Sequence, residues 1–157
     1  MKRLGLFLLL TLVLVPQLAG ACFGPKLYIG VDAGPTATVL AELATLYLHE
    51  KTGVDSVRVE LGAGGARAEL EGGRVDLAVT GTVPAEGAPV LAVGTLGSIL
   101  AGPRPLQDLQ FTTVVPALKK LGELLTADDL RQLVAAVAAG QTPAAAARQL
   151  LQARRWI

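Results

Sequence analysis

Between residues 27 and 80 the apolar and polar positions follow two distinct periods. Leu27 to Val31 is a short, mostly apolar run of the kind a buried strand makes. Asp32-Ala33-Gly34-Pro35 breaks it, and Pro35 suits the first turn of a helix, where its missing N–H costs nothing. From Pro35 to Thr52 the spacing is helical: Leu40, Leu43 and Tyr47 mark one apolar stripe with Leu46 alongside, and Gly53 supplies a left-handed cap. Ser56 to Leu61 then alternates strictly. Val57, Val59 and Leu61 point one way and Ser56, Arg58 and Glu60 the other, which predicts a strand with one wet face near a sheet edge. Gly62 to Gly65 reads as a turn, Ala66 to Glu71 as a short helix stopped by Gly72-Gly73, and Val75 to Val79 as a third strand.

Beyond Gly81 the pattern is less regular. Pro89 to Val93 and Ser98 to Ala101 read as strands separated by Gly94 and Gly97, and Gly102-Pro103-Arg104-Pro105 as irregular chain. The end is helical. Leu118, Leu121 and Leu125 carry a helix over about 115–125. Thr126 and Asp129 form a reciprocal capping pair for a helix over about 127–139 closed by Gly140, and Thr142-Pro143 opens a last helix to about Arg155. Strands alternating with helices favour a mostly parallel sheet with right-handed crossovers. The expected fold is therefore α/β: a three-layer α/β/α lobe followed by C-terminal helices.

The first 22 residues follow a different rule. Met1-Lys2-Arg3 is a positive start, Leu6 to Val15 is apolar except for Thr11, and Ala19-Gly20-Ala21 are small. These are the parts of a secretory signal, and the run is shorter than the roughly 20 residues a membrane span needs. Cys22 follows directly and is the only cysteine. The string Leu18-Ala19-Gly20-Ala21-Cys22 resembles a bacterial lipobox, which implies cleavage before Cys22 and attachment of diacylglyceryl and acyl chains such as palmitate to it. The alternative is an ordinary secretory signal with an incidental cysteine. Segments 1–21, 22–26 and 27–157 then read as signal peptide, lipidated tether and one domain. The expected location is the cell envelope, at the periplasmic or extracellular face of a bacterial membrane.

Composition narrows the chemistry. Fourteen basic and thirteen acidic side chains leave no excess for a nucleic-acid surface. One cysteine and one histidine rule out an intrachain disulfide and a two-cysteine or Cys/His metal site. No Walker lysine or dinucleotide spacing occurs. Ser56 and Ser98 are the only serines and lie outside any nucleophile motif, so neither an enzyme nor a cofactor is expected.

Three loops at strand ends carry the candidate site: 32–36, 62–67 and 80–82. With Lys26 to Gly30, Tyr47 to Gly53, Leu70 to Leu77 and the tail from Pro116 through Thr126-Ala127-Asp128-Asp129-Leu130 to Ala147-Arg148-Gln149-Leu150-Leu151, they form an ordered set. That set resembles the substrate-binding proteins of glycine betaine/choline-type ABC transporters, which have a periplasmic-binding-protein-like fold. The resemblance implies a lipid-anchored receptor that hands a small zwitterionic or quaternary-ammonium solute to an ABC permease. Two departures stand out. The family is bilobed, and only about 30 residues lie between Thr82 and Val115, too few for a second lobe. Tyrosines that the family usually carries before its Thr-Gly-Thr are replaced by Ala78-Val79. A homodimer would be one way to replace the missing lobe.

The ligand-binding candidates are Asp32, Thr36, Gly64, Gly65, Arg67, Thr80 and Thr82. Each has a second reading. Asp32 either meets a ligand cation or serves its turn. Gly62 to Arg67 either cradles an anion with backbone N–H groups or is a tight strand-to-helix turn. Thr80 and Thr82 either bond a ligand carboxylate or cap the chain as it leaves the sheet. Arg67 either clamps an anion or pairs with Glu71 one helical turn on. Asp76 is expected to hold a neighbouring loop, His49 to sit in solvent and Trp156 to pack. The functional alternative is an interaction or scaffold lipoprotein that keeps the lobe without binding solute.

Overall fold

The computed structural model describes residues 24–85 and 87–157. The predicted signal peptide, the lipobox with Cys22, and Phe23 lie outside them. In chain order the elements are β1 (Leu27–Val31), α1 (Pro35–Thr52), β2 (Ser56–Glu60), α2 (Gly65–Glu71), β3 (Leu77–Thr80), β4 (Leu91–Val93), β5 (Gly97–Ala101), α3 (Pro103–Gln107), a 3₁₀ turn (Leu109–Phe111), α4 (Val114–Leu124), α5 (Ala127–Ala138) and α6 (Pro143–Ala153). The fold is mixed α/β, with one five-stranded sheet and six helices.

The strands lie in the order β2-β1-β3-β5-β4. β1 pairs in parallel with both neighbours, with Val31 level with Glu60 on one side and Val79 on the other. The β4–β5 hairpin joins in antiparallel fashion, Ser98 facing Thr80. Only β5 runs against the other four strands. The wet-faced strand β2 is an edge strand, as its alternation predicts.

α1 starts and ends where the sequence predicts, with Pro35 in its first turn and Gly53 at φ 69° donating its N–H to the His49 carbonyl at 2.9 Å. Its packing differs from the expected single stripe. Ala37, Val39, Leu40, Ala41, Leu43, Ala44, Tyr47 and Leu48 are all buried. A helix apolar on nearly every side must be enclosed. α1 lies against the sheet on one side and against α4, α5 and α6 on the other. The strands feed this layer through alternate residues: Leu27 and Ile29, Leu77 and Val79, Leu91 and Val93, and Ile99.

Coverage of the other face is slight. Leu70, Val75 and Ala78 form a small second cluster with half-buried Val59, Leu61 and Leu100. α2 has seven residues. At 1.5 Å per residue it is about 10 Å long, against roughly 19 Å across five strands.

Two expectations about local structure change. Val75 and Asp76 precede β3 rather than opening it. Asp76 bonds β1 partly through its side chain: its N–H donates to the Tyr28 carbonyl (2.8 Å) and its carboxylate accepts the Tyr28 N–H (2.7 Å). The stretch 102–105, expected to be irregular, opens α3. Pro103 and Pro105 fall in the first three positions, where no intrahelical N–H is required. Pro89 and Val90 likewise stand outside β4.

The C-terminal helices close as a hairpin. Thr126 and Asp129 form the predicted capping box, and Arg154 just past α6 reaches back to the Asp129 carboxylate. Burial pushes the Asp129 carboxyl up. Bonds from the Thr126 hydroxyl and N–H and from Arg154 outweigh that and hold it below the usual carboxylate range.

Candidate functional site

Parallel strands β1, β2 and β3 deliver their C-terminal ends to one edge of the sheet. The Leu61 N–H bonds the Val31 carbonyl (3.0 Å) and the Asp32 N–H bonds the Val79 carbonyl (2.9 Å), so the three exits are stitched side by side. Because β5 is reversed, the β4–β5 turn around Gly94 to Leu96 reaches the same edge. The three predicted loops therefore do meet.

Their side chains, however, serve different surroundings. Asp32 is exposed and borders a groove of about 480 Å³ between the start of α1 and the end of β2. Thr38, Arg58, Glu60 and Leu61 line the same groove. Asp32 also accepts the N–H of its neighbour Ala33 at 2.9 Å, an Asx-type turn bond. Thr36 turns to the opposite side of the α1 start, into a hollow of about 220 Å³ with Leu96, Leu130 and Arg131. Arg67 pairs with Glu71 at 2.8 Å and borders a third hollow on the thinly covered face, with Leu100 and Pro103.

Thr80 is buried, and its hydroxyl is engaged within the fold. It lies 2.7 Å from the Thr82 carbonyl and 2.9 Å from the Ser98 hydroxyl, which itself donates to the Thr82 carbonyl at 3.1 Å. This trio fixes the chain as it leaves β3. The Thr82 side chain is exposed, but its carbonyl is held inside.

The glycine loop is likewise occupied from below. Gly65 has φ 74° and donates its N–H to the Gly62 carbonyl at 3.0 Å, the geometry of a tight turn. A side chain at Gly62 would begin 2.6 Å from a carboxylate oxygen of Glu69, which is buried and paired with Arg74. Gly64 adopts ordinary helical backbone at the head of α2.

Sequence reading missed the three other polar side chains of the groove: Thr38, Arg58 and Glu60. Alternation placed Arg58 and Glu60 on one face, but only the pairing of Val31 with Glu60 brings them beside Asp32. Arg58 bonds the nearly buried Glu42 of α1, so its positive charge is already answered. Asp32 and Glu60 leave the groove with excess acid. None of its lining residues is aromatic. Tyr28 is near the other end of β1, Tyr47 is buried in α1 beneath Lys51, and Phe111 lies under the Arg104 guanidinium, 4.6 Å from the ring centre. His49 is exposed at the far end of α1, 3.1 Å from Asp55. Among the described residues no three His, Cys, Asp or Glu side chains gather as a metal site requires, and no helix is long and apolar enough to cross a membrane.

No family model, curated protein or solved structure matches this chain.

Proposed function

We propose that this chain is the exported, lipid-anchored solute-binding component of an ABC importer for glycine betaine- or choline-like compatible solutes, reduced to a single periplasmic-binding-protein-like lobe of three layers. The observation that carries the reading is the convergence of three parallel-strand ends on one open edge beside an acidic groove. Ligands of open parallel sheets bind beyond those ends. Asp32 and Glu60 suit a cationic headgroup, whereas Arg58 is already paired with Glu42. The groove is open on one side, whereas small-ligand sites bury most of the ligand. A permease surface or a second copy must supply the other wall. Calorimetry of the full chain with glycine betaine, choline, carnitine and proline betaine, alone and with its copurified permease, tests this. Saturable heat in either format supports it; none in both overturns it.

The structure also favours a second reading in one respect. The Thr80 and Ser98 hydroxyls are engaged internally, and no aromatic face lines the groove, although cation–π contact is the usual way to hold a quaternary ammonium. An interaction lipoprotein that docks a protein partner on the same edge needs neither. Cross-linking from Ala33→Cys separates the two: capture of transporter subunits favours import, and capture of unrelated envelope proteins favours scaffolding.

A further inference from the structure

We propose that Leu106 and Leu109 seat the tether end of the lobe on the lipid bilayer. Exposed large hydrophobic side chains are few among the described residues: Tyr28 at 42%, Leu106 at 58% and Leu109 at 85%. All three lie toward the end of the sheet opposite the strand-end groove. Tyr28 is the second residue of β1. Leu106 belongs to α3 and Leu109 to the 3₁₀ turn, and both follow β5 after it has run back to the start of β3, where Ala101 faces Leu77.

The chain that leads to Cys22 leaves from the same place. Arg104 of α3 donates to the Lys26 carbonyl at 3.2 Å and to both oxygens of Asp76 at 3.0 and 3.2 Å. The start of the described chain is thus bound to the helix that carries Leu106. Only three residues, Phe23 to Pro25, lie between Cys22 and Lys26, and the four steps that join them span at most about 14 Å fully extended. With Cys22 acylated, as the proposed function has it and on which this inference rests, the tether end cannot leave the bilayer surface. A protein partner would have to fit into that narrow gap, whereas lipid already fills it. Two leucines facing headgroups and the first methylenes match the amphipathic boundary of a membrane. Their immediate neighbours are compatible with it. Gln107 and Gln110 are uncharged, and the Asp108 carboxylate accepts the Gln110 N–H at 3.0 Å. The lobe therefore has two working ends, one on lipid and one presenting the groove away from it.

The test uses the full chain, lipidated and reconstituted in phosphatidylethanolamine/phosphatidylglycerol vesicles. Mass analysis of the N-terminal peptide first reads acylation at Cys22. An environment-sensitive fluorophore is then placed at Leu109→Cys or, at the groove end, Ala33→Cys. Quenching by lipid-borne nitroxide severalfold stronger at 109 than at 33 is expected. Equal, weak quenching at both positions overturns the proposal, as does shielding of the 109 label without vesicles, which would mean that a second copy covers it. If Cys22 carries no lipid, the anchor reading fails separately, and the leucines are judged on the unacylated Cys22→Ser chain. That chain should partition onto the same vesicles. The Leu106→Asp/Leu109→Asp pair should lower the partition about tenfold or more with unchanged circular dichroism. An unchanged partition, or none in the parent chain, overturns it.

Discussion

Replacing Asp76 with alanine should loosen the tether end more than any other single polar change in the described chain. The Asp76 side chain is only 6% exposed. It accepts the Tyr28 N–H at 2.7 Å and the Arg104 guanidinium at 3.0 and 3.2 Å. A hydrogen bond to a charged group is worth about 1.5–3 kcal/mol, and removing the acceptor leaves the Tyr28 N–H without its partner. Arg104 is 39% exposed, so solvent screening limits its share to about 1 kcal/mol or less. The sum is about 3 kcal/mol, a large part of a typical stability of about 5–15 kcal/mol. At about 4 °C per kcal/mol for a chain of this size, the thermal midpoint should fall by about 12 °C. Urea unfolding followed by far-ultraviolet circular dichroism at pH 7 measures the difference. Arg104→Ala should cost about 1–2 kcal/mol through the lost pair and the lost contact with the Phe111 ring. The double variant should show a coupling of about 1 kcal/mol. An Asp76→Ala loss below about 0.5 kcal/mol, or strict additivity with Arg104→Ala, would refute this account of how the tether end is held.

Three further outcomes are expected. The folded-state pKa of Asp129 is depressed, so its contribution is fully present above the unfolded value near 3.8 and is lost as pH falls through the lower folded value; Asp129→Asn should flatten wild-type stability against pH in that acid range, read by urea titrations at several pH values. Thr80→Val should cost about 1 kcal/mol in the same unfolding assay, because Ser98 loses one partner while keeping the Thr82 carbonyl. Gly65→Ala should cost about 1 kcal/mol through its positive φ alone, since nothing lies within 4 Å of the added carbon; a neutral result would show that the turn relaxes.

Much of the fold was legible because the informative signals are local. Pro35 and Gly53 bracket α1, Thr126 and Asp129 start α5, and the alternation of 56–61 marks an edge strand. The misses arose where tertiary contacts replace a local pattern. Asp76 satisfies β1 with a side chain, which no periodicity reports, and the expected strand shortens by two residues at its start. Leu40, Leu43 and Tyr47 read as one stripe, but the helix they belong to is enclosed on both sides, because α4 to α6 return over it from far along the chain.

The candidate site was legible as a place and illegible as a set of side chains. Strand order brings the loops at Asp32, Gly62 and Thr80 to one edge, and that much follows from a β-α-β-α-β pattern. Which side chain faces the groove depends on register. Glu60 stands beside Asp32 only because β2 pairs with β1 at Val31. Thr80 turns inward only because β5 returns antiparallel and sets Ser98 opposite it. On the proposed function, that reversed strand stands where a bilobed receptor has its second lobe. By pairing with β3 it gives Thr80 an internal partner, which removes one candidate ligand group from the edge. On the proposed function, recognition at this edge rests on Asp32 and Glu60 rather than on Thr80. Glu60→Gln should therefore weaken any cationic solute by roughly fivefold or more, while leaving urea stability within about 0.5 kcal/mol because Glu60 is exposed and makes no ion pair among the described residues. Equal affinity of parent and variant, measured by calorimetry with choline, would remove the groove from the binding surface.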